Sequence, residues 1–108
     1  MPEKFVAIVP AAGLGTRLGD ARPKQYLELN GRPMIHHALA ALCGVKRIAN
    51  IHPVLSPVDQ IWDQLDWSGL DARVAPLRCG GAQRGETVRN ALQSLGATLK
   101  DSDWVLVH

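Results

Sequence analysis

The sequence has little cysteine, no long apolar run, no charge excess and neither of the two common phosphate-loop motifs, and each shortage excludes something. Cys43 and Cys79 lie far apart and form no C-x-x-C pair. They read as reduced, incidental thiols, with Cys79 partly exposed beside Gly80-Gly81. No apolar stretch reaches membrane-spanning length, so no membrane partner is expected. The start, Met1-Pro2-Glu3-Lys4, enters an apolar run at once and leaves no room for a secretory signal. The expected location is the cytoplasm. A net charge of +2, with Lys and Arg scattered, is too small for a nucleic-acid partner. There are no repeats, low-complexity tracts or linkers, and 108 residues make one small domain. His36 and His37 are neighbours and do not face each other on a helix. They read as polar-face histidines and not as metal ligands, which use i, i+4 spacing.

A Walker A loop needs a lysine after its second glycine, and no glycine here has one at that spacing. The dinucleotide fingerprint needs a third glycine where this chain has Leu18. The ribose-binding acid after the second strand is missing too, because that strand runs into Ser56-Pro57.

What is present centres on residues 4–25, KFVAIVPAAGLGTRLGDARPKQ. Phe5-Val6-Ala7-Ile8-Val9 is short, apolar and rich in β-branched residues, which predicts a buried strand. Pro10 is expected to end it, since proline donates nothing to a sheet ladder. Ala11, Ala12, Gly13 and Gly15 leave a loop almost bare of side chains, so peptide N–H groups can approach an anion. Arg17 and Lys24 add positive charge on either side. The combination fits a triphosphate cradle; an ordinary glycine-rich βα turn is the other reading of the glycines.

Further elements follow from pattern. Asn30-Gly31 signals a turn. Pro33 opens a helix whose apolar residues Met34, Ile35, Ala38, Leu39 and Leu42 keep helical spacing up to Gly44. Residues 48–55 read as the second strand, with His52 a packed or edge histidine. Ser56-Pro57-Val58-Asp59 looks like a helix start, with Val58, Ile61, Trp62 and Leu65 on its apolar face. Trp62 and Trp67 read as core or covering residues, and 66–69 as a loop. Residues 72–76 are a third strand, followed by a second glycine loop at Gly80-Gly81. Thr87–Leu95 is a helix with Val88, Ala91, Leu92 and Leu95 inward, and 104–108 a fourth strand. The alternation predicts a three-layer α/β fold with a mainly parallel sheet and right-handed crossovers.

Four blocks carry a family resemblance: Pro10-Ala11-Ala12-Gly13-Leu14-Gly15-Thr16-Arg17-Leu18, Pro23-Lys24-Gln25-Tyr26-Leu27, Gly80-Gly81-Ala82-Gln83-Arg84-Gly85-Glu86-Thr87-Val88 and Trp104-Val105-Leu106-Val107-His108. In this order the chain resembles the 2-C-methyl-D-erythritol 4-phosphate cytidylyltransferase family of nucleotidyltransferases. The resemblance implies a Rossmann-like sheet in the order 3-2-1-4, with the site between the Gly13 loop and whatever follows His108. It implies attack by the phosphate of methylerythritol phosphate on the α-phosphorus of CTP, with pyrophosphate leaving. Lys24 would stabilise the charged transition state and Arg17 the triphosphate. Pro10, Ala11, Ala12, Gly13 and Gly15 would cradle the nucleotide, Gly81 and Thr87 would contact the cytosine, and Arg84 would lie near the nucleotide. Thr87 stands where the family has serine and keeps the hydroxyl; Ala82 stands where an aspartate is common. Lys24 also reads as a solvated surface lysine, and Arg84 as a helix-start surface arginine.

The resemblance further implies Mg²⁺, held by carboxylates that none of these 108 residues supplies, and a homodimer. Residues 1–108 are therefore expected to be the amino-terminal nucleotide-binding part of a longer domain and inactive alone. Rival readings share the chemistry (ribitol 5-phosphate cytidylyltransferase, sugar-1-phosphate nucleotidyltransferase) or lack it, as a nucleotide-binding module without activity would.

Overall fold

A computed structural model describes residues 4–13 and 23–108. The first strand, β1, spans Phe5–Ala11 and lies between two parallel neighbours. These are β4 (Ile48–Leu55) and β5 (Trp104–Val107), giving the order β4-β1-β5. Between β1 and β4 come a 3₁₀ turn at Lys24–Tyr26, a small antiparallel hairpin and a helix. The hairpin is β2 (Glu28–Leu29) with β3 (Arg32–Pro33), and the helix is α1 (Met34–Cys43). Asn30 and Gly31 both take positive φ, 55° and 82°. A tight hairpin turn requires that backbone, and Asn-Gly adopts it at least cost.

Both faces of β1 are covered. Ala7, Val9 and Ala11 join Tyr26, Ile35, Leu39, Ile51 and Leu55 in one core. Val6 and Ile8 point the other way, against Ala91 and Leu95 of α2 (Arg84–Leu95). A strand alternates its side chains, so a continuous apolar run is what a strand buried on both faces needs. Three layers result: α1, the sheet, α2.

β1 does not end at Pro10, as expected from proline's missing donor; it continues to Ala11, with Pro10 opposite Val54. The carbonyls of Lys4 and Ile8 accept N–H groups of Trp104 and His108, so even-numbered residues of β1 face β5. The nitrogen of Pro10 falls on that same flank, away from β4, so the pairing of β1 with β4 through Ala11 needs no donor from it. A proline that owes no donor to a neighbour can stay in a strand.

The expected third strand at 72–76 is reduced to two isolated parallel bridges on β4, Ile51 to Val74 and Val54 to Leu77. Rungs run Ile51 N–H to Arg73 O, Ala75 N–H to Ile51 O, Leu77 N–H to Pro53 O and Leu55 N–H to Leu77 O. The missing rung is the one Pro53 would donate to Ala75. His52 replaces it: its Nδ1 lies 2.8 Å from that carbonyl, which fixes the ring proton on Nδ1.

The helix expected from Ser56 does not form. Ser56 closes a turn, with Oγ accepting the Val58 N–H at 3.3 Å and its carbonyl the Asp59 N–H. Asp59 Oδ1 then takes the N–H groups of Ile61 and Trp62 at 2.8 and 3.0 Å, leaving only a 3₁₀ turn at Trp62–Gln64. An aspartate side chain that takes up nearby N–H groups offers the backbone an alternative to a helix. Val58 is exposed as a result. Trp62 and Trp67 stack at 3.8 Å between centroids and cover the core, as read from sequence.

Two further expectations need correction. In α2 it is Thr87, Ala91 and Leu95 that are buried, while Leu92 is exposed. Thr87, Ala91 and Leu95 follow one another at i, i+4 spacing and form the inward stripe, which leaves Leu92 at its margin. His36 is not on a polar face: it is buried and stacked on Trp67, with its Nε2 2.8 Å from Arg32 Nη1 and 2.9 Å from the Ser68 carbonyl. Gly44 and Gly96 do follow their helices, but in right-handed backbone.

Candidate nucleotide site

A cleft of about 210 Å³ opens at the carboxyl end of β1. One wall is the loop leaving the strand, Pro10 to Gly13, with Gln25. The other is the second glycine loop and the start of α2: Gly81, Ala82, Gln83, Arg84 and Thr87. Open parallel sheets bind ligands at this end of their strands.

The first wall is held by Gln25. Its Nε2 donates to the carbonyls of Ala11 and Gly13 at 2.8 and 2.9 Å. One amide thus satisfies two acceptors of a loop that has no side chains of its own to do so. Gln25 sits in the 3₁₀ turn whose first residue is Lys24, and Lys24 is exposed at the edge of this wall.

The second wall is held by the first turn of α2. Thr87 Oγ1 accepts the Gly81 N–H at 3.0 Å and donates to the Gly81 carbonyl at 3.4 Å. Glu86 Oε1 accepts the Ala82 N–H at 2.6 Å. This resembles a capping box displaced by one residue. Asn90 adds a bond to the Cys79 carbonyl at 2.8 Å. Both loop N–H groups are therefore engaged internally, and the Gly81 carbonyl, only weakly engaged, is left as the acceptor.

The two walls touch at Gly80. Its N–H donates to Leu55 O at 2.8 Å at the end of β4. A Cβ placed on Gly80 would lie 2.3 Å from Ala12 Cβ and 2.9 Å from Leu55 O. No side chain fits there, so glycine is what lets the loops approach.

Next to Gln25 in the chain, the buried Tyr26 hydroxyl donates to Asp59 Oδ2 at 2.6 Å. Burial, and then Asp59, push the Tyr26 phenol far above its ordinary value, so it remains a donor. Burial likewise raises the Cys79 thiol, which favours its protonated form.

Of the residues proposed from sequence, the cleft gathers Pro10, Ala11, Ala12, Gly13, Gly81, Arg84 and Thr87. Lys24 adjoins it, while Gly15 and Arg17 lie outside the described residues. Sequence reasoning missed Gln25, Gly80 and Glu86 as structural parts of the site. Gln25 and Glu86 stood inside quoted motifs, but only geometry shows that they hold loop peptides. Among the described residues, no three His, Cys, Asp or Glu side chains converge as a metal set. Glu86, the acid nearest the cleft, is spent on Ala82. The described residues do not fit a Mg²⁺ site.

A parallel α/β sheet with a helix packed on each face, superposing on solved relatives, has the Rossmann-like nucleotidyltransferase fold. The family model for IspD, 2-C-methyl-D-erythritol 4-phosphate cytidylyltransferase, matches residues 5–108, and the chain belongs to that family. A relative of that name from Nitrosospira multiformis is 52% identical over 108 residues. That match covers 98% of this chain and 47% of the relative. One from Thiobacillus denitrificans is 50% identical, covering 97% and 45%. Among solved structures, a 4-diphosphocytidyl-2C-methyl-D-erythritol synthase superposes with a TM-score of 0.81 at 28% identity. It covers all of this chain and 46% of the other. The Francisella tularensis IspD structure gives 0.74 at 28% identity, covering 98% and 43%. The chain spans about half the length of the curated relatives it matches.

Proposed function

We propose that this chain supplies the nucleotide-binding half of an enzyme that transfers CMP from CTP to 2-C-methyl-D-erythritol 4-phosphate, releasing pyrophosphate. The observation that carries the reading is the cleft between the Ala11–Gly13 loop and the Gly81–Thr87 turn, in a chain belonging to the family. Gln25 commits the carbonyls of Ala11 and Gly13, so what this loop offers a phosphate is its peptide donors. The α2 N-terminus borders the same cleft and favours negative charge there. Pro10, Ala11, Ala12, Gly13 and Gly15 cradle the nucleotide, Arg17 and Arg84 bind phosphates, and the Gly81 backbone reads cytosine from the position Thr87 gives it.

The acceptor phosphate is already an anionic nucleophile. Catalysis is then positioning and charge neutralisation, with Lys24 acting on the α-phosphoryl oxygens as their charge grows. The reading includes Mg²⁺ as a charge-neutralising partner of the triphosphate, with ligands from outside the described residues. It also includes a homodimer acting in the cytoplasm, without nucleic acid or membrane. No helix among the described residues is long and apolar enough to cross a membrane.

The test is pyrophosphate release from CTP and methylerythritol phosphate by the natural polypeptide that carries this chain, with Lys24→Ala beside it. Loss of one such electrostatic group costs on the order of a hundredfold or more in turnover, with CTP affinity nearly unchanged. A Lys24→Ala enzyme of normal turnover removes Lys24 from the chemistry; no release by the unsubstituted protein removes the function.

A further inference from the structure

One polar network links the segments that lead into the two walls. Tyr26 follows Lys24 and Gln25 directly and is completely buried. Its hydroxyl ends on Asp59 Oδ2 at 2.6 Å. The other carboxylate oxygen of Asp59 holds the N–H groups of Ile61 and Trp62. The Asp59 carbonyl accepts from Arg78 Nη1 at 3.0 Å, and Arg78 Nη2 pairs with Asp63 at 2.9 Å. Arg78 lies two residues before Gly80, where the walls touch. A single residue, Asp59, thus contacts the segment carrying Lys24 and Gln25 and the segment leading into the second glycine loop.

We infer that Tyr26, Asp59 and Arg78 form a positioning relay that sets the spacing between Lys24-Gln25 and Gly80-Gly81. None of the three lines the cleft, so none is catalytic; they act through the residues that do. Several features favour a fixed relay over incidental surface contacts. The Tyr26–Asp59 bond is short, its donor is fully buried, and Asp59 is held at four further points, by Ser56, Ile61, Trp62 and Arg78. The Arg78–Asp63 ion pair, being exposed, adds little by itself. Its effect is to aim the guanidinium at the Asp59 carbonyl.

The assignment of kinetic consequences rests on the function proposed above, so the test has two arms. The first is amide hydrogen exchange on the full chain, which needs no activity. Tyr26→Phe removes one hydroxyl and should accelerate exchange at residues 79–82, across the cleft, about fivefold or more through increased local opening. Arg78→Met should do the same at residues 24–27. Asp59→Asn, which preserves shape, serves where either variant folds poorly and should loosen both segments. Changes confined to each variant's own wall would overturn the relay.

The second arm is CTP kinetics in the natural polypeptide. Tyr26→Phe should lower kcat about tenfold with KM for CTP within about twofold, since Lys24 answers transition-state charge. Arg78→Met should chiefly raise KM, about fivefold, and the double variant should fall short of the product because both act through Asp59. Equal loss of kcat from both single variants, or full multiplicativity, would contradict the relay. If the unsubstituted protein uses no CTP, the proposed function fails, and the relay is judged on exchange alone.

Discussion

At the scale of single residues, the site depends on what a side chain lacks. Gly80 stands where a methyl group would meet Ala12 Cβ at 2.3 Å and the backbone of Leu55 at 2.9 Å. Neither neighbour is a flexible tip that can swing aside. Gly80→Ala should therefore destabilise the fold by about 1–3 kcal/mol, the ordinary cost of forced overpacking. It should also weaken nucleotide binding, because the walls must part. Denaturant unfolding and CTP calorimetry check both, and an alanine variant of unchanged stability would show that the contact relaxes freely. Sequence alone placed a glycine loop here but could not single out Gly80 from Gly81. The distinction depends on β4 ending under Gly80, a contact between residues far apart in the chain. Gln25 was hidden for a similar reason: nothing in Pro-Lys-Gln shows that its amide turns back onto carbonyls of residues 11 and 13.

At the scale of elements, patterns that depend on neighbours in sequence were legible, and those that depend on partners in space were not. β1, β4, α1, α2 and β5 stand close to where alternation and helical spacing placed them. The Ser56 helix failed because Asp59 took the N–H groups that would have propagated it and turned its other oxygen to Tyr26. The third strand was weakened by Pro53, a donor missing in its partner and not in itself. His52 fills that rung, which makes a prediction specific to this edge. His52→Leu keeps the bulk but leaves the Ala75 carbonyl without its bond. Ala75 is exposed, so water can reach the freed carbonyl and the loss is that of one net hydrogen bond, about 0.5–1.5 kcal/mol. Unfolding should register that loss, with exchange at residues 74–77 rising more than elsewhere. If His52→Leu is as stable as the parent protein, the ring is not replacing the missing rung.

At the scale of the whole molecule, the cleft exists only because the fold brings two distant stretches together. Its first wall follows β1, and its second belongs to residues 81–87, beyond α1, β4 and the bridges on β4. Among the described residues, Gln25 and the first turn of α2 are what hold the two loops in shape. Binding in the cleft must therefore be linked to global folding, and a ligand that binds only the folded chain raises its melting temperature. At a ligand concentration tenfold above Kd the gain is about 1.4 kcal/mol. For a domain near 100 residues that corresponds to roughly 5–10 °C. The base should matter as well. The Gly81 carbonyl, reached by Thr87 only at 3.4 Å, is an acceptor suited to the amine of cytosine. Uracil presents a carbonyl there instead, leaving two acceptors opposed and one buried group unpaired, a loss of about 1–3 kcal/mol. That is about 5- to 150-fold in affinity. At one fixed concentration CTP should therefore shift the melting temperature clearly more than UTP does, whether or not turnover occurs. Thr87→Val removes the hydroxyl that holds Gly81 and should narrow the gap between the two nucleotides. Thermal unfolding of the chain with each nucleotide checks this, and equal shifts from CTP and UTP would show that the Gly81–Thr87 turn does not read the base.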